Sequence, residues 1–219
     1  NPAEKGPSRM AVRMGWASRF APFRKAGEKI GPISAEWATR CGLPGDVDIY
    51  TGIHDSNAAL HAARANPEIV ARGATILSTG TWFVSMRSLA PGQVFDIGRL
   101  PFDRGCLTNI DPEGRTVPTA LFMGGRELDL LNAGGSNRID AEGEQPALLE
   151  AARSCIASGV MILPTQTPGI GPFANHKEAW INRPADSQQV TAAMALYVAL
   201  VADAALDLIG SENILIIDG

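Results

Sequence analysis

The chain has 219 residues, 45% of them hydrophobic and 19% charged, with a formal net charge of −4. That length and apolar content suffice for a sizeable core, as one large domain or parts of two, while the charge balance offers no broad attraction to nucleic acid. The longest apolar runs are broken by charge or glycine before membrane-spanning length and no signal peptide is read, so the expectation is a soluble, mixed α/β, cytoplasmic protein with no membrane partner.

Taken in chain order, the stretch 9–29 is locally basic but interrupted by glycine and proline, and is read as a solvated segment and not a nucleic-acid-binding helix. Ser34 is placed to cap a short helix through Arg40, which Gly42 ends; Leu43-Pro44-Gly45 then turns into a strand over 46–50. A helix follows from Asp55 to about Ala65, terminated by Asn66-Pro67, and the best domain boundary falls over 67–73. A strand over 74–86 enters a turn at Thr79-Gly80-Thr81 and continues beyond it. Strands over 106–110 and 116–122 flank Asp111-Pro112-Glu113-Gly114, a turn that joins antiparallel neighbours. A helix is expected over 126–131, another over 148–158, and a short buried strand over 160–163. Asp186, with Gln189 three residues on, has the pattern of a capping box for a helix that ends at Gly210. That helix is apolar on nearly every face and should be covered on most sides.

Cys41, Cys106 and Cys155 are odd in number and widely spaced, which suggests neither a zinc site nor a disulfide framework and fits a reducing compartment. His54, His61 and His176 lack the spacing of paired metal ligands, so no metal-binding residues are assigned.

Two motifs carry chemistry. Gly52-Ile53-His54-Asp55-Ser56-Asn57-Ala58-Ala59-Leu60 puts Asp55 where a strand ends and a helix begins, at the mouth of a crevice of the kind in which α/β sheets bind ligands. Leu77-Ser78-Thr79-Gly80-Thr81-Trp82 makes a glycine-centred turn of small hydroxyl residues. The carboxylate suits a general base, and the turn suits a phosphate cradle: glycine at 80 lets the backbone approach, and N–H groups with the Thr81 hydroxyl can meet phosphoryl oxygens. Taken singly, an aspartate at a helix start is an ordinary cap and Ser-Thr-Gly-Thr an ordinary turn; it is their order along the chain that points to function. Trp82 and Trp180 are read as packing residues, and Asp129 as part of a solvated or nucleotide-adjacent helix face.

This pair of motifs resembles the FGGY family of carbohydrate kinases, which transfer the γ-phosphoryl of ATP to a sugar hydroxyl. In that family a Gly-x-x-Asp-x-x-x-Ala segment supplies the catalytic base and a Gly-Thr turn holds ATP phosphates. Ala120-Leu121-Phe122-Met123-Gly124-Gly125-Arg126-Glu127-Leu128 resembles the family's strand, small-residue turn and helix beside the nucleotide. Ile162-Leu163-Pro164 with Thr167-Pro168-Gly169-Ile170-Gly171-Pro172 is similar to its mid-domain loop. The segments 192–208 and 214–219 resemble the long helix and strand that lead into the adenosine motif, so the likeness covers nearly the whole chain in order.

The resemblance implies a two-lobed actin-like ATPase (ribonuclease H-like) α/β fold, incomplete at both ends. The family's opening Asp-x-Gly-Thr loop does not occur before Asp55, and the chain stops at Gly219, where the adenosine motif should begin; a start in Asn1-Pro2-Ala3-Glu4 points the same way. Residues 1–70 would close the first, sugar-binding domain, and 71–219 would form much of the second, nucleotide-binding one. The resemblance further implies Asp55 as catalytic base, His54 and Ser56 as substrate-binding residues, and Thr79, Gly80, Thr81, Gly124, Gly125 and Gly219 as nucleotide-binding residues. ATP and Mg2+ follow as cofactors, a small sugar as substrate, and a homodimer as a compatible assembly. The His54-Asp55 pair is most like the rhamnulokinase and fuculokinase branch, which suggests a ketose or deoxyketose. The alternative on this scaffold is a catalytically silent sugar-binding or regulatory protein; an actin-like structural ATPase would have no need of the base motif.

Overall fold

The computed structural model describes residues 6–132, 142–212 and 214–219, without the side chain of Glu142; residues 1–4, read above as an internal start, lie outside it. Ser8 caps the short helix α1 (Arg9–Arg13) by accepting the Ala11 N–H at 3.1 Å, and the chain then runs along the surface with Trp16, Phe20 and Phe23 exposed. Strands β1 (Lys29–Pro32) and β2 (Asp48–Tyr50) pair antiparallel on either side of α2 (Ala35–Cys41). As the local signals predict, Ser34 accepts the Trp37 N–H and Gly42 ends α2 in the left-handed region at φ 66°. β2 begins later than position 46 because the Val47 N–H turns back to the Pro44 carbonyl.

Helix α3 (Asp55–Ala63) is followed at once by α4 (Pro67–Arg72), a helix the sequence reading did not assign within the 67–73 segment where it places a domain boundary. Asn66 and Pro67 end one helix and start the next. The Asn66 side chain accepts the Glu68 N–H at 2.9 Å, and proline in the first turn gives up no bond because its missing donor would have been unpaired there. Gly73 closes α4 at φ 72°, and any Cβ there would lie 2.8 Å from the Ser88 carbonyl, so both backbone and space require glycine.

The main sheet is built from β3 (Ala74–Ser78), β4 (Phe83–Ser88), β5 (Cys106–Ile110), β6 (Thr116–Phe122) and, after helices α5 (Gly124–Leu131), α6 (Gln145–Ala157) and α7 (Ser187–Leu208), the last strand β9 (Ile214–Asp218). Between α6 and α7 lies a separate hairpin of β7 (Met161–Leu163) and β8 (Ala179–Ile181). The five strands lie in the order β5-β6-β4-β3-β9, with β3 and β9 parallel and the other neighbours antiparallel. Alternation along β3 divides the interior. Ile76 joins Leu60, Met86 and Val117 under α3, and its neighbour Leu77 faces the larger core of α6 and α7 on the other side. Helices on both faces therefore bury residues 74–77 of β3, which explains why Ile76 and Leu77 can both be apolar at consecutive positions.

By length and apolarity alone α7 could cross a membrane. Here Ala192, Met194, Tyr197, Val198, Val201 and Ala205 are buried in the main core, while Leu200, Asp203 and Asp207 form the exposed stripe. Asp186 caps the helix by accepting the Gln189 N–H at 2.8 Å. Only half of the expected capping box forms, because the Gln189 amide is drawn 3.3 Å from the Ser154 hydroxyl on α6.

A buried acid ties α3 to the sheet. The Asp111 side chain is fully buried, Oδ2 is 2.6 Å from Arg115 Nε and 3.5 Å from Arg64 at the end of α3, and Oδ1 accepts the N–H groups of Glu113 and Arg115. Among the described residues, removing it leaves the Arg64 guanidinium, which is 15% exposed, without a counter-charge and with the Ser88 hydroxyl at 3.2 Å as its remaining partner, and it strands two turn amides. Asp111→Ala is expected to lower stability by about 3 kcal/mol in chemical denaturation, with Asp111→Asn losing less.

Candidate active site

The backbone at the β2 to α3 junction puts Asp55 in the first turn of α3, where unpaired N–H groups favour a negative charge. Its Oδ1 accepts the Ser56 N–H at 2.6 Å and the Ser56 hydroxyl at 3.2 Å, and lies 2.8 Å from His54 Nδ1. The His54 contact is a hydrogen bond when Nδ1 carries the proton. Among the described residues nothing donates to Oδ2, and the side chain is 89% exposed. His54 and Ser56, expected to touch substrate, thus stand as the immediate partners of the carboxylate; Ser56 is itself buried.

Facing Asp55 is the loop that joins β3 to β4. β3 ends at Ser78 and β4 begins at Phe83, which leaves residues 79–82 as the connection. Thr79 donates its N–H to the Asp218 carbonyl at 2.7 Å and its hydroxyl to the same oxygen at 3.2 Å, which docks the loop on the end of β9. A Cβ at Gly219 would fall 2.0 Å from Thr79 Oγ1, so β9 can close on the loop only with glycine there. From behind, the first turn of α5 donates the Gly125 N–H to the Gly80 carbonyl at 3.1 Å and the Arg126 N–H to the Thr81 carbonyl at 3.4 Å. These helix donors have no partner inside the helix, and the loop satisfies them. Gly124 lies against the Phe83 ring, where a Cβ would approach to 2.6 Å. Gly80 differs: the nearest atom to a Cβ is the Trp82 carbonyl at 3.9 Å.

His54, Asp55 and Ser56 on one side and Thr79, Gly80 and Thr81 on the other line one open cleft of about 500 Å³. Gly124, Gly125 and Gly219 are outside that lining and stand behind the loop. Sequence reading missed Ser78, Val84, Leu121 and, above all, Trp82. Trp82 is 41% exposed on the cleft and not a packing residue, whereas Trp180 packs against the main core as expected. Val84 and Leu121 are register partners across β4 and β6, so strand alternation was the signal available for them. Asp129 is exposed.

The cysteines offer no nucleophile to this site. Burial pushes the Cys106 thiol up to about 11 and also raises that of Cys155, and both are free. Among the described residues no cluster of His, Cys, Asp or Glu is built to hold a metal ion.

A mixed five-stranded sheet covered by helices on both faces, with a carboxylate at the β2 to α3 junction facing the glycine loop of the β3–β4 hairpin, has the architecture of the actin-like ATPase fold. Residues 71–219 match the family described as carbohydrate kinase FGGY, C-terminal domain. The chain belongs to the FGGY carbohydrate kinases. It is 49% identical to a carbohydrate kinase from Novosphingobium aromaticivorans, over 100% of this chain and 46% of that one, with a TM-score of 0.85. It also resembles in fold a xylulose kinase from Rhodospirillum rubrum (19% identity, 95% of this chain and 42% of that one, TM-score 0.59). A glycerol kinase from Plasmodium falciparum with ADP is similar in fold as well (14% identity, 97% and 42%, TM-score 0.62). The chain spans less than half the length of each of these structures. No curated protein matches it.

Proposed function

We propose that this chain is the central portion of an ATP-dependent carbohydrate kinase, with residues 1–70 closing the sugar-binding domain and 71–219 forming much of the nucleotide-binding one. Asp55 is the general base and residues 79–81 are the phosphate cradle. The observation that carries this reading is that Asp55 and the glycine loop, far apart in sequence, line one cleft.

The chemistry follows from the contacts. A sugar hydroxyl is a poor nucleophile and must be held in line with the γ-phosphorus while its proton is accepted. With Oδ1 held by Ser56 and by His54, the carboxylate presents Oδ2 to the cleft, and that is the oxygen assigned to the hydroxyl. The hydroxyl oxygen bonds to phosphorus, the bond from phosphorus to the ADP leaving oxygen breaks, and the proton passes late to Asp55, since a carboxylate is a far weaker base than an alkoxide. The loop fits phosphate because nothing fills the space beside Gly80 and its backbone is backed by α5. Magnesium, carried with the nucleotide, would supply positive charge against the phosphoryl oxygens. Gly124, Gly125 and Gly219 serve the nucleotide indirectly in this reading, by letting α5 and β9 close on the loop. The His54-Asp55 pair keeps a ketose or deoxyketose as the proposed substrate.

A Cβ at position 80 makes only an ordinary contact, 3.9 Å from the Trp82 carbonyl, but enters the space assigned to phosphate. Gly80→Val in the full-length enzyme is expected to weaken MgATP binding about tenfold or more, with sugar binding and thermal midpoint nearly unchanged. Calorimetry on both ligands checks this; equal losses would remove the loop from the phosphate site. The reaction itself is tested by coupled ADP release against a panel of ketoses and polyols. Sugar binding without sugar-dependent ADP release would favour a silent sugar-binding protein.

A further inference from the structure

Glu127 is a carboxylate that the proposed reaction leaves unused. It is 1% exposed in the first turn of α5, and among the described residues no lysine or arginine pairs with it. Three hydroxyls meet it instead. Tyr197 Oη, from the middle of α7, donates to Oε2 at 2.5 Å; Thr165 Oγ1 donates to Oε1 at 2.9 Å; and Thr167 Oγ1 donates to the same oxygen. Burial, together with the adjacent Glu127 carboxylate, pushes the Tyr197 phenol far up, so it stays a neutral donor. An apolar side chain would fill this position at lower desolvation cost. What the carboxylate adds is direction: its bonds hold α5, α7 and the segment after β7 in one mutual arrangement.

That arrangement ends at the cleft. Gly125 and Arg126, just before Glu127 in the same turn, donate their N–H groups to the carbonyls of Gly80 and Thr81. The segment after β7 supports the same junction from the other side. A Cβ at Gly171 would lie 2.7 Å from Phe122 Cβ, and the Phe122 ring packs 5.2 Å from Phe83, the ring against which Gly124 rests.

We propose that Glu127 is the positioning residue of the phosphate loop: the hydroxyl clamp of Thr165, Thr167 and Tyr197 on its carboxylate sets the seat of α5, and α5 sets the carbonyls of Gly80 and Thr81. The consequence for ATP rests on the kinase reading; the geometry does not. A carboxamide at 127 keeps the shape but replaces one acceptor oxygen with a donor, so at least one hydroxyl must turn away. Tyr197→Phe removes a single hydroxyl and keeps the ring, which guards against a variant that fails to fold.

The experiment measures loop exchange in the ligand-free full-length protein, read at the Gly125 and Arg126 amides that bond the loop carbonyls, with β3 as internal reference, in the wild type, Glu127→Gln and Tyr197→Phe. Exchange at these two amides is expected to rise about tenfold in Glu127→Gln and less in Tyr197→Phe, with β3 unchanged. In turnover, KM for ATP should rise by a similar factor while KM for the sugar stays put. Loop exchange equal to wild type in both variants, whatever the thermal midpoint does, would overturn the proposal and leave Glu127 a structural acid. A wild type that binds no MgATP would instead overturn the kinase reading, and loop exchange would still decide whether Glu127 positions the loop.

Discussion

Replacing Asp55 with asparagine in the full-length enzyme is expected to lower kcat by a factor on the order of 10² or more and to leave ATP affinity nearly unchanged. The carboxamide oxygen can still accept the Ser56 N–H and hydroxyl and the His54 Nδ1 proton that now meet Oδ1, so the side chain keeps its orientation. The NH2 group then occupies the place of Oδ2. It cannot accept a proton, and it offers the sugar hydroxyl a donor where an acceptor is required. Because the Asp55 side chain is 89% exposed, the substitution should leave folding intact. Coupled ADP release with calorimetry of MgATP checks both halves of the expectation, and near-normal turnover would take Asp55 out of the mechanism.

Gly125→Ala should produce a loss of comparable size by a different route. An added Cβ would lie 2.2 Å from the Gly80 carbonyl oxygen and 2.9 Å from its carbon, and neither belongs to a side chain that can swing aside. The loop or the first turn of α5 must move by roughly an ångström, and a displacement of that size in a positioning element costs about 10² in rate. kcat/KM for ATP is therefore expected to fall by about that factor, with sugar binding retained. Gly124→Ala is the informative comparison. Its Cβ would meet the Phe83 ring at 2.6 Å, a side chain with some freedom to repack, so its loss should be smaller. Equal effects of the two substitutions would argue that the Gly125 to Gly80 contact does not seat the loop.

The parts of this molecule legible in its sequence are those settled within a few residues. Ser34 and Gly42 bound α2, Asp186 caps α7, and the turn at 111–114 joins β5 to β6 at the expected strand ends, because caps and turns are decided by hydrogen bonds between near neighbours. The family and the candidate base and loop were readable for a related reason: short motifs such as that around Asp55 record what the chemistry requires at adjacent positions. Asn66-Pro67 ends α3 as read, but α4 went unseen because one dipeptide can both stop a helix and start one, and the packing of Ile69 into the interior favours the second helix.

Other features depended on segments that meet only in three dimensions. Gln189 leaves its own cap for Ser154, 35 positions away, and Trp82 turns its ring to the cleft and not to the core. Glu127 looks in sequence like one more solvated charge on a helix, yet it is buried under hydroxyls 38, 40 and 70 positions distant. The sequence by itself determined α2, α3, β5, β6 and α7 with the caps and turns that bound them, the family, and the motifs that hold the candidate base and loop. The tertiary structure decided which of those residues face the cleft and which stand behind it. A local pattern can record the hydrogen bonds of one turn, but whether a polar group is buried, and what satisfies it there, depends on the volumes and donors that distant segments bring together.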